Sequence, residues 1–231
     1  MVVLTTVKDE FAILELNLLW NDYMTYQALM FDIDGTLTNS QPAYTTVMRE
    51  VLATYGKPFS PAQAQKTFPM AAEQAMTELG IAASEFDHFQ AQYEDVMASH
   101  YDQIELYPGI TSLFEQLPSE LRLGIVTSQR RNELESGMRS YPFMMRMAVT
   151  ISADDTPKRK PDPLPLLTAL EKVNVAPQNA LFIGDSVSDE QTAQAANVDF
   201  GLAVWGMDPN ADHQKVAHRF QKPLDILALF K

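Results

Sequence analysis

The sequence predicts an α/β fold: a parallel sheet flanked by helices, with a small all-helical segment inserted after the first strand. Two observations carry the prediction. Five short apolar runs, at residues 28–33 (ALMFDI), 123–127 (LGIVT), 148–152 (AVTIS), 180–184 (ALFIG) and 201–205 (GLAVW), recur along the chain, and most stop at Gly, Asp or Ser. Such runs lack polar alternation, as expected of strands buried on both faces, and helix-like segments separate them. The second observation is the long stretch from Ile33 to Leu123, which reads as almost entirely helical and is too long for one crossover.

Within that stretch Ser40-Gln41-Pro42 opens one helix, and Ser60-Pro61 opens another with proline in its first turn. A third spans about 70–79 and stops at Gly80. Ser84 followed by Asp87 has the spacing of a capping box. Beyond it Phe86, Phe89, Tyr93, Val96 and Met97 fall at helical intervals, the pattern of a core-facing stripe. Ligands of open α/β sheets bind beyond the carboxyl ends of the strands. An insert after strand one would therefore cover the site as a lid, with hinges at 38–40 and 106–109. The expected organisation is an α/β core at 24–39 and 107–231, a helical cap at 40–106 and an extension at 1–23. Either that extension is an appended helix or Met24 is the natural start.

Composition narrows the function. Of 231 residues, 30 are acidic and 17 are Lys or Arg, a formal net charge of -13. That balance argues against nucleic acid as the main partner, because duplex binding depends on neutralising phosphates. A small anion could still bind where a metal cation is held. No cysteine is present, which excludes disulfides, thiolate zinc sites and cysteine nucleophiles and fits a reducing compartment. The apolar stretch 11–20 is interrupted by Glu15 and preceded by Asp9 and Glu10, so neither a secretory signal nor a membrane span is expected. The chain reads as cytoplasmic, without a membrane partner. His88, His100, His213 and His218 have no metal-ligand spacing, and no GxGxxG, Walker loop, HExxH or GxSxG motif occurs. The 12 methionines are scattered and read as core filler.

Chemistry gathers at the strand ends. Asp32-Ile33-Asp34-Gly35-Thr36 closes the first strand, and residues two apart in a strand face the same side. Two carboxylates this close resist joint ionisation, a conflict that a magnesium ion relieves. One can then act as nucleophile and the other as proton donor and acceptor. Strand two ends in Thr127-Ser128, whose hydroxyls and backbone N–H groups could hold phosphate oxygens. Lys160 lies in a loop just before a helix from about Leu164, where it could offset charge. Gly184-Asp185-Ser186-Val187-Ser188-Asp189 closes strand four; Asp185 can ligate a metal and Asp189 can orient a ligand or metal-bound water. Each motif alone is also compatible with turns and helix caps. Their joint occurrence along one sheet edge decides for a site.

That order of motifs, with DIDGTLTNS and GDSVSD the most specific, resembles the haloacid dehalogenase-like (HAD) superfamily of phosphohydrolases, whose core is a Rossmann-like sheet. The insert's position resembles the small helical cap of the phosphoglycolate phosphatase-like branch. The resemblance implies a Mg2+-dependent phosphatase that hydrolyses a small phosphorylated metabolite through an aspartyl-phosphate. Asp32 would be nucleophile and metal ligand. Asp34 would protonate the leaving alcohol, activate water and give the metal its carbonyl. Thr127, Ser128 and Lys160 would bind the phosphoryl group, with Lys160 also stabilising Asp32. Asp185 would complete the metal site and Asp189 support it. A phosphomutase, an inorganic pyrophosphatase and a non-catalytic phosphate-binding module are the alternatives, and either a monomer or a homodimer is expected. The chain departs from the pattern at Gln129, Arg159 and Thr67-Phe68-Pro69, which bear on substrate choice, for which Tyr44, Lys66, Thr67 and Gln74 are the candidate anchors.

Overall fold

A computed structural model describes residues 26–138 and 140–230. The expectations for 1–23 and for Met24 lie outside the described residues. All five apolar runs form strands: β1 (Ala28–Phe31), β4 (Arg122–Val126), β5 (Met147–Ile151), β6 (Ala180–Gly184) and β7 (Asp199–Ala203). With β8 (His218–Phe220) they make one six-stranded sheet in the order β5-β4-β1-β6-β7-β8, parallel throughout. β8 escapes a search for apolar runs because two of its three residues, His218 and Arg219, are polar.

Strand β1 is central: Ala28 pairs with Arg122 on one side and with Ala180 on the other. Alternate residues feed two cores. Leu29 and Phe31 pack with Ile110, Leu113 and Phe114 of helix α5 (Ile110–Gln116) and with Leu134 of α6 (Arg131–Met138). Ala28 and Met30 face the opposite layer, Leu166, Ala169 and Leu170 of α7 (Leu164–Val173) and Ala193 of α8 (Val187–Ala195). Burying both faces is what the unbroken apolar runs demand.

Four helices lie between Asn39 and Glu105: α1 (Gln41–Thr54), α2 (Pro61–Thr67), α3 (Ala72–Glu78) and α4 (Phe86–Ala98). They surround a hydrophobic cluster of their own, including Val47, Leu52, Phe59, Met76 and Phe89. Helix α2 begins with the complete capping box of Ser60 and Gln63. The Ser84–Asp87 spacing does not form one: residues 83–85 make a 3-10 turn, and α4 starts at Phe86 with no side-chain cap. The two chain crossings into this insert run side by side, because β2 (Thr38–Asn39) pairs antiparallel with β3 (Glu105–Leu106). The hinge segments are thus tied by a short ladder. Among the described residues no helix is long and apolar enough to cross a membrane.

Candidate active site

The acids sit just past β1 rather than inside it, yet the ladder runs on into them. The Asp32 N–H donates to the Ile183 carbonyl at 2.9 Å, and Asp34 bridges to Thr38. Between them and β6 the packing is close. Gly35 has a φ of 80°, and a Cβ there would overlap the Asp185 carboxylate. This turn needs glycine for its left-handed backbone and for that contact.

Asp32, Asp34, Ser128, Lys160 and Asp185 all line one open-mouthed cavity between the strand ends and the helical insert. Thr127 and Asp189 are buried immediately behind it. Three carboxylates, from Asp32, Asp185 and Asp189, offer oxygens within 4.8 Å of one another. Lys160, itself buried, bridges two of them, at 2.8 Å to Asp32 Oδ1 and 2.6 Å to Asp189 Oδ1. The other Asp189 oxygen accepts from the Ser186 N–H and hydroxyl, so Asp189 completes the capping box of α8 while it holds the lysine. Thr36 donates to Asp185 Oδ1 at 3.0 Å. Asp32 Oδ2 and Asp185 Oδ2 accept no hydrogen bond among the described residues. Several buried carboxylates against one ammonium leave a negative excess, which suits a hard divalent cation with oxygen ligands.

The charges respond as burial dictates. Burial pushes Asp32 up to about 7 against the pull of Lys160, with Asp189 and Asp34 adding repulsion. Asp185 is raised well above the carboxylate range, again by burial first and then by Asp189 and Asp32. Burial alone would drive Lys160 toward neutrality, but Asp189 and Asp32 override it and hold its pKa above the usual lysine value.

Asp34 has its own partners. Burial raises it, while two neutral donors pull the other way: the Ser40 hydroxyl at 2.5 Å to Oδ1 and Gln129 Nε2 at 2.8 Å to Oδ2. Ser40 reads in the sequence as a helix opener, but it makes no side-chain cap to α1 and is spent on Asp34 instead. Gln129 is visible in the sequence only as a departure from a family pattern. Gln129→Leu should lower kcat by roughly 10-fold with little change in KM, since a hydrogen bond to a charged group is worth about 1.5–3 kcal/mol. Steady-state kinetics of the variant check this; a change confined to KM would assign Gln129 to substrate binding.

The helix after Thr127 begins only at Arg131, and the Thr127 hydroxyl accepts from the Gln129 N–H at 3.1 Å. Of the four anchors read in the insert, Tyr44 and Thr67 line the cavity, with Tyr44 donating to Thr67 at 2.7 Å. Lys66 and Gln74 do not. They line a second cleft behind Phe68-Pro69-Met70, and Lys66 pairs with Glu78 at 2.5 Å. Helix spacing turns both away from the chamber. The methionines are not all filler: Met48, Met70, Met76 and Met97 line the cavity. So do Phe89 and Tyr93 of the α4 stripe.

The sequence reading missed Glu133, which also lines the cavity and whose Oε2 accepts the Arg130 N–H at 2.6 Å. Burial pushes it from 4.5 up to about 7, opposed by that N–H and helped by Asp34 and Glu94. The folded protein therefore binds this proton more tightly than the unfolded chain does. The stability it contributes is complete below the unfolded value and is lost as pH rises through 7. In metal-free urea titrations Glu133→Gln should exceed the parent by about 2 kcal/mol at pH 8, a gap that closes towards pH 4. A gap independent of pH would sink this account.

Four comparisons bear on this geometry. The family model described as haloacid dehalogenase-like hydrolase matches residues 29–203. A phosphoglycolate phosphatase of Xylella fastidiosa is 32% identical over 196 residues, covering 81% of this chain and 84% of the relative. A haloacid dehalogenase-like family hydrolase from Streptococcus pneumoniae superposes with a TM-score of 0.79 at 22% identity, covering 90% of this chain and 99% of that one. CbbY from Rhodobacter sphaeroides, solved in complex with phosphate, superposes at 0.76 with 18% identity, over 88% of this chain and 98% of that one.

Proposed function

This chain belongs to the haloacid dehalogenase-like hydrolases, and from that premise we propose how its own residues divide the work of a phosphatase on a small phosphomonoester. The carrying observation is the bridge of Lys160 between Asp32 and Asp189, with Asp34 held separately by Ser40 and Gln129 on the same cavity. One carboxylate is kept beside a cation, as a nucleophile aimed at a phosphate requires. The other is kept in a neutral hydrogen-bonded niche, as a proton carrier requires.

Asp32 attacks phosphorus and forms an aspartyl-phosphate, while the alcohol oxygen leaves and takes the proton from Asp34. Water then attacks the same phosphorus, gives its proton to Asp34 and returns Asp32 as carboxylate. Burial, which raises Asp34, favours the protonated form that the first half needs. Thr127 and the backbone of Ser128 hold phosphoryl oxygens, and Lys160 balances charge on Asp32 and on the phosphate in flight. Asp189 acts through Lys160. In phosphoryl transfer such positioning and charge balance carry most of the rate.

The donor set fits Mg2+, held by Asp32, Asp185 and the Asp34 main chain with Asp189 in support. When bound it supplies neutralisation of the phosphoryl oxygens. We place the enzyme in the cytoplasm, a reading supported by its lack of cysteine. Hydrolysis of p-nitrophenyl phosphate with Mg2+, and its loss in EDTA, tests the proposal; turnover undiminished by EDTA would refute the metal assignment.

A further inference from the structure

The geometry points to a leaving group that is neutral and bulky, an alcohol with an aromatic or branched apolar body rather than a short carboxylated one. This rests on the phosphatase reading above and names the substrate class for the same site.

The cavity has two unlike ends. The sheet side supplies the acids, Lys160 and Ser128; the side built by the helical insert supplies no charged side chain among the described residues. That wall is instead Met48, Met76, Phe89 and Met97, each at most 5% exposed, together with Phe68 and Met70. Its polar groups are largely engaged already. The Tyr44 hydroxyl donates to Thr67, Thr67 donates to the Gln63 carbonyl, Gln90 donates to Glu94, and Ser40 donates to Asp34. Tyr93 and Tyr101 add ring surface, and their hydroxyls make no hydrogen bond among the described residues.

A phosphoryl group seated on Lys160 and Ser128 sends its alcohol toward this wall. A carboxylate there would lose its water against methyls and rings without a cation to repay it, and would approach Glu133 as well. An apolar body loses nothing by the same transfer, and thioether side chains adapt to an irregular outline. Of the arginines on the cavity, Arg130 lies 3.6 Å from Glu94. Arg159 makes no ion pair among the described residues, but it stands next to Lys160 on the phosphate side. It is the group that a carboxylated substrate would have to use.

Two matched pairs test this on the Mg2+-loaded protein. Calorimetry compares two phosphonates that cannot be hydrolysed, 3-phenylpropylphosphonate and 3-phosphonopropionate. Kinetics compares 2-phenylethyl phosphate with 2-phosphoglycolate. The aromatic member of each pair should be favoured by at least ~10-fold, the discrimination a few apolar groups give in a fitted pocket. Met76→Ala should narrow both ratios. Equal preference, or a preference for the carboxylated member, overturns the inference and leaves the phosphatase intact; loss of that reversed preference in Arg159→Gln would place the carboxylate on Arg159. Tighter binding of the phenyl phosphonate without turnover of either ester overturns the phosphatase reading and upholds the occupant.

Discussion

Asp32→Asn should abolish hydrolysis, with kcat reduced at least ~10^4-fold and the fold retained. Asparagine keeps the size and one acceptor oxygen of the side chain but cannot attack phosphorus to give a hydrolysable acyl-phosphate. Loss of a covalent nucleophile typically costs this much or more, because the remaining groups act only as a unit with it. The fold should survive because Lys160 keeps Asp189 as a partner at 2.6 Å, so its charge is not stranded. Two measurements check the account. Initial rates with Mg2+ give the fall in kcat, and circular dichroism shows whether the variant is folded. Acid quenching of the unmodified enzyme during turnover should leave one phosphoryl mass on the peptide bearing Asp32, a signal absent from the variant. Turnover in folded Asp32→Asn near that of the parent would move the nucleophile elsewhere, and the whole assignment with it.

The acids and hydroxyls of this candidate site are legible in sequence because they follow the ends of apolar runs, and parallel sheets carry their ligands at that edge; Lys160 is legible only from its place in the loop before a helix. What the chain does not announce is how those side chains are held. Ser40 has the local signature of a helix opener, and only the folded geometry spends its hydroxyl on Asp34. Gln129 and Asp34 are far apart in sequence, and their hydrogen bond has no local signature at all. The same limit governs the cavity. Periodicity on α4 correctly turns Phe89, Tyr93 and Met97 inward, but a hydrophobic stripe says which face is covered and not whether the space it faces is filled. Here the three side chains contribute both to the insert's own cluster and to the chamber wall. Strand β8 and the Ser84 turn fail for the opposite reason. Their local patterns are too short to outweigh what neighbouring elements impose.

Lys160→Met is the sharpest test of the electrostatic arrangement, because methionine keeps the apolar stem and removes only the ammonium. The parent lysine has its charge between Asp32 and Asp189 and lies 5.7 Å above the centre of the Phe182 ring. Without it, carboxylates from Asp32, Asp185 and Asp189 face one another within 4.8 Å. Breaking a buried pair in this way costs about 3–5 kcal/mol, since charge is left behind uncompensated. In EDTA at pH 8 the variant should lose that much stability, and kcat should fall roughly 10^2–10^3-fold, as when one donor to a developing charge is removed. The pH dependence identifies the cause. Carboxyls whose folded pKa is raised above the unfolded value stabilise the fold at low pH and cease to do so as pH rises through the raised value. Burial already lifts Asp32 to about 7, and removing the lysine that opposes this lifts it further. The deficit of Lys160→Met should therefore shrink on acidification to pH 5, where the carboxyls take up protons. Mg2+ should stabilise the variant more than the parent, by linkage to a site that has become more negative. A deficit equal at pH 5 and pH 8 and indifferent to Mg2+ would mean that Lys160 serves packing alone, and its place between nucleophile and phosphate would have to be given up.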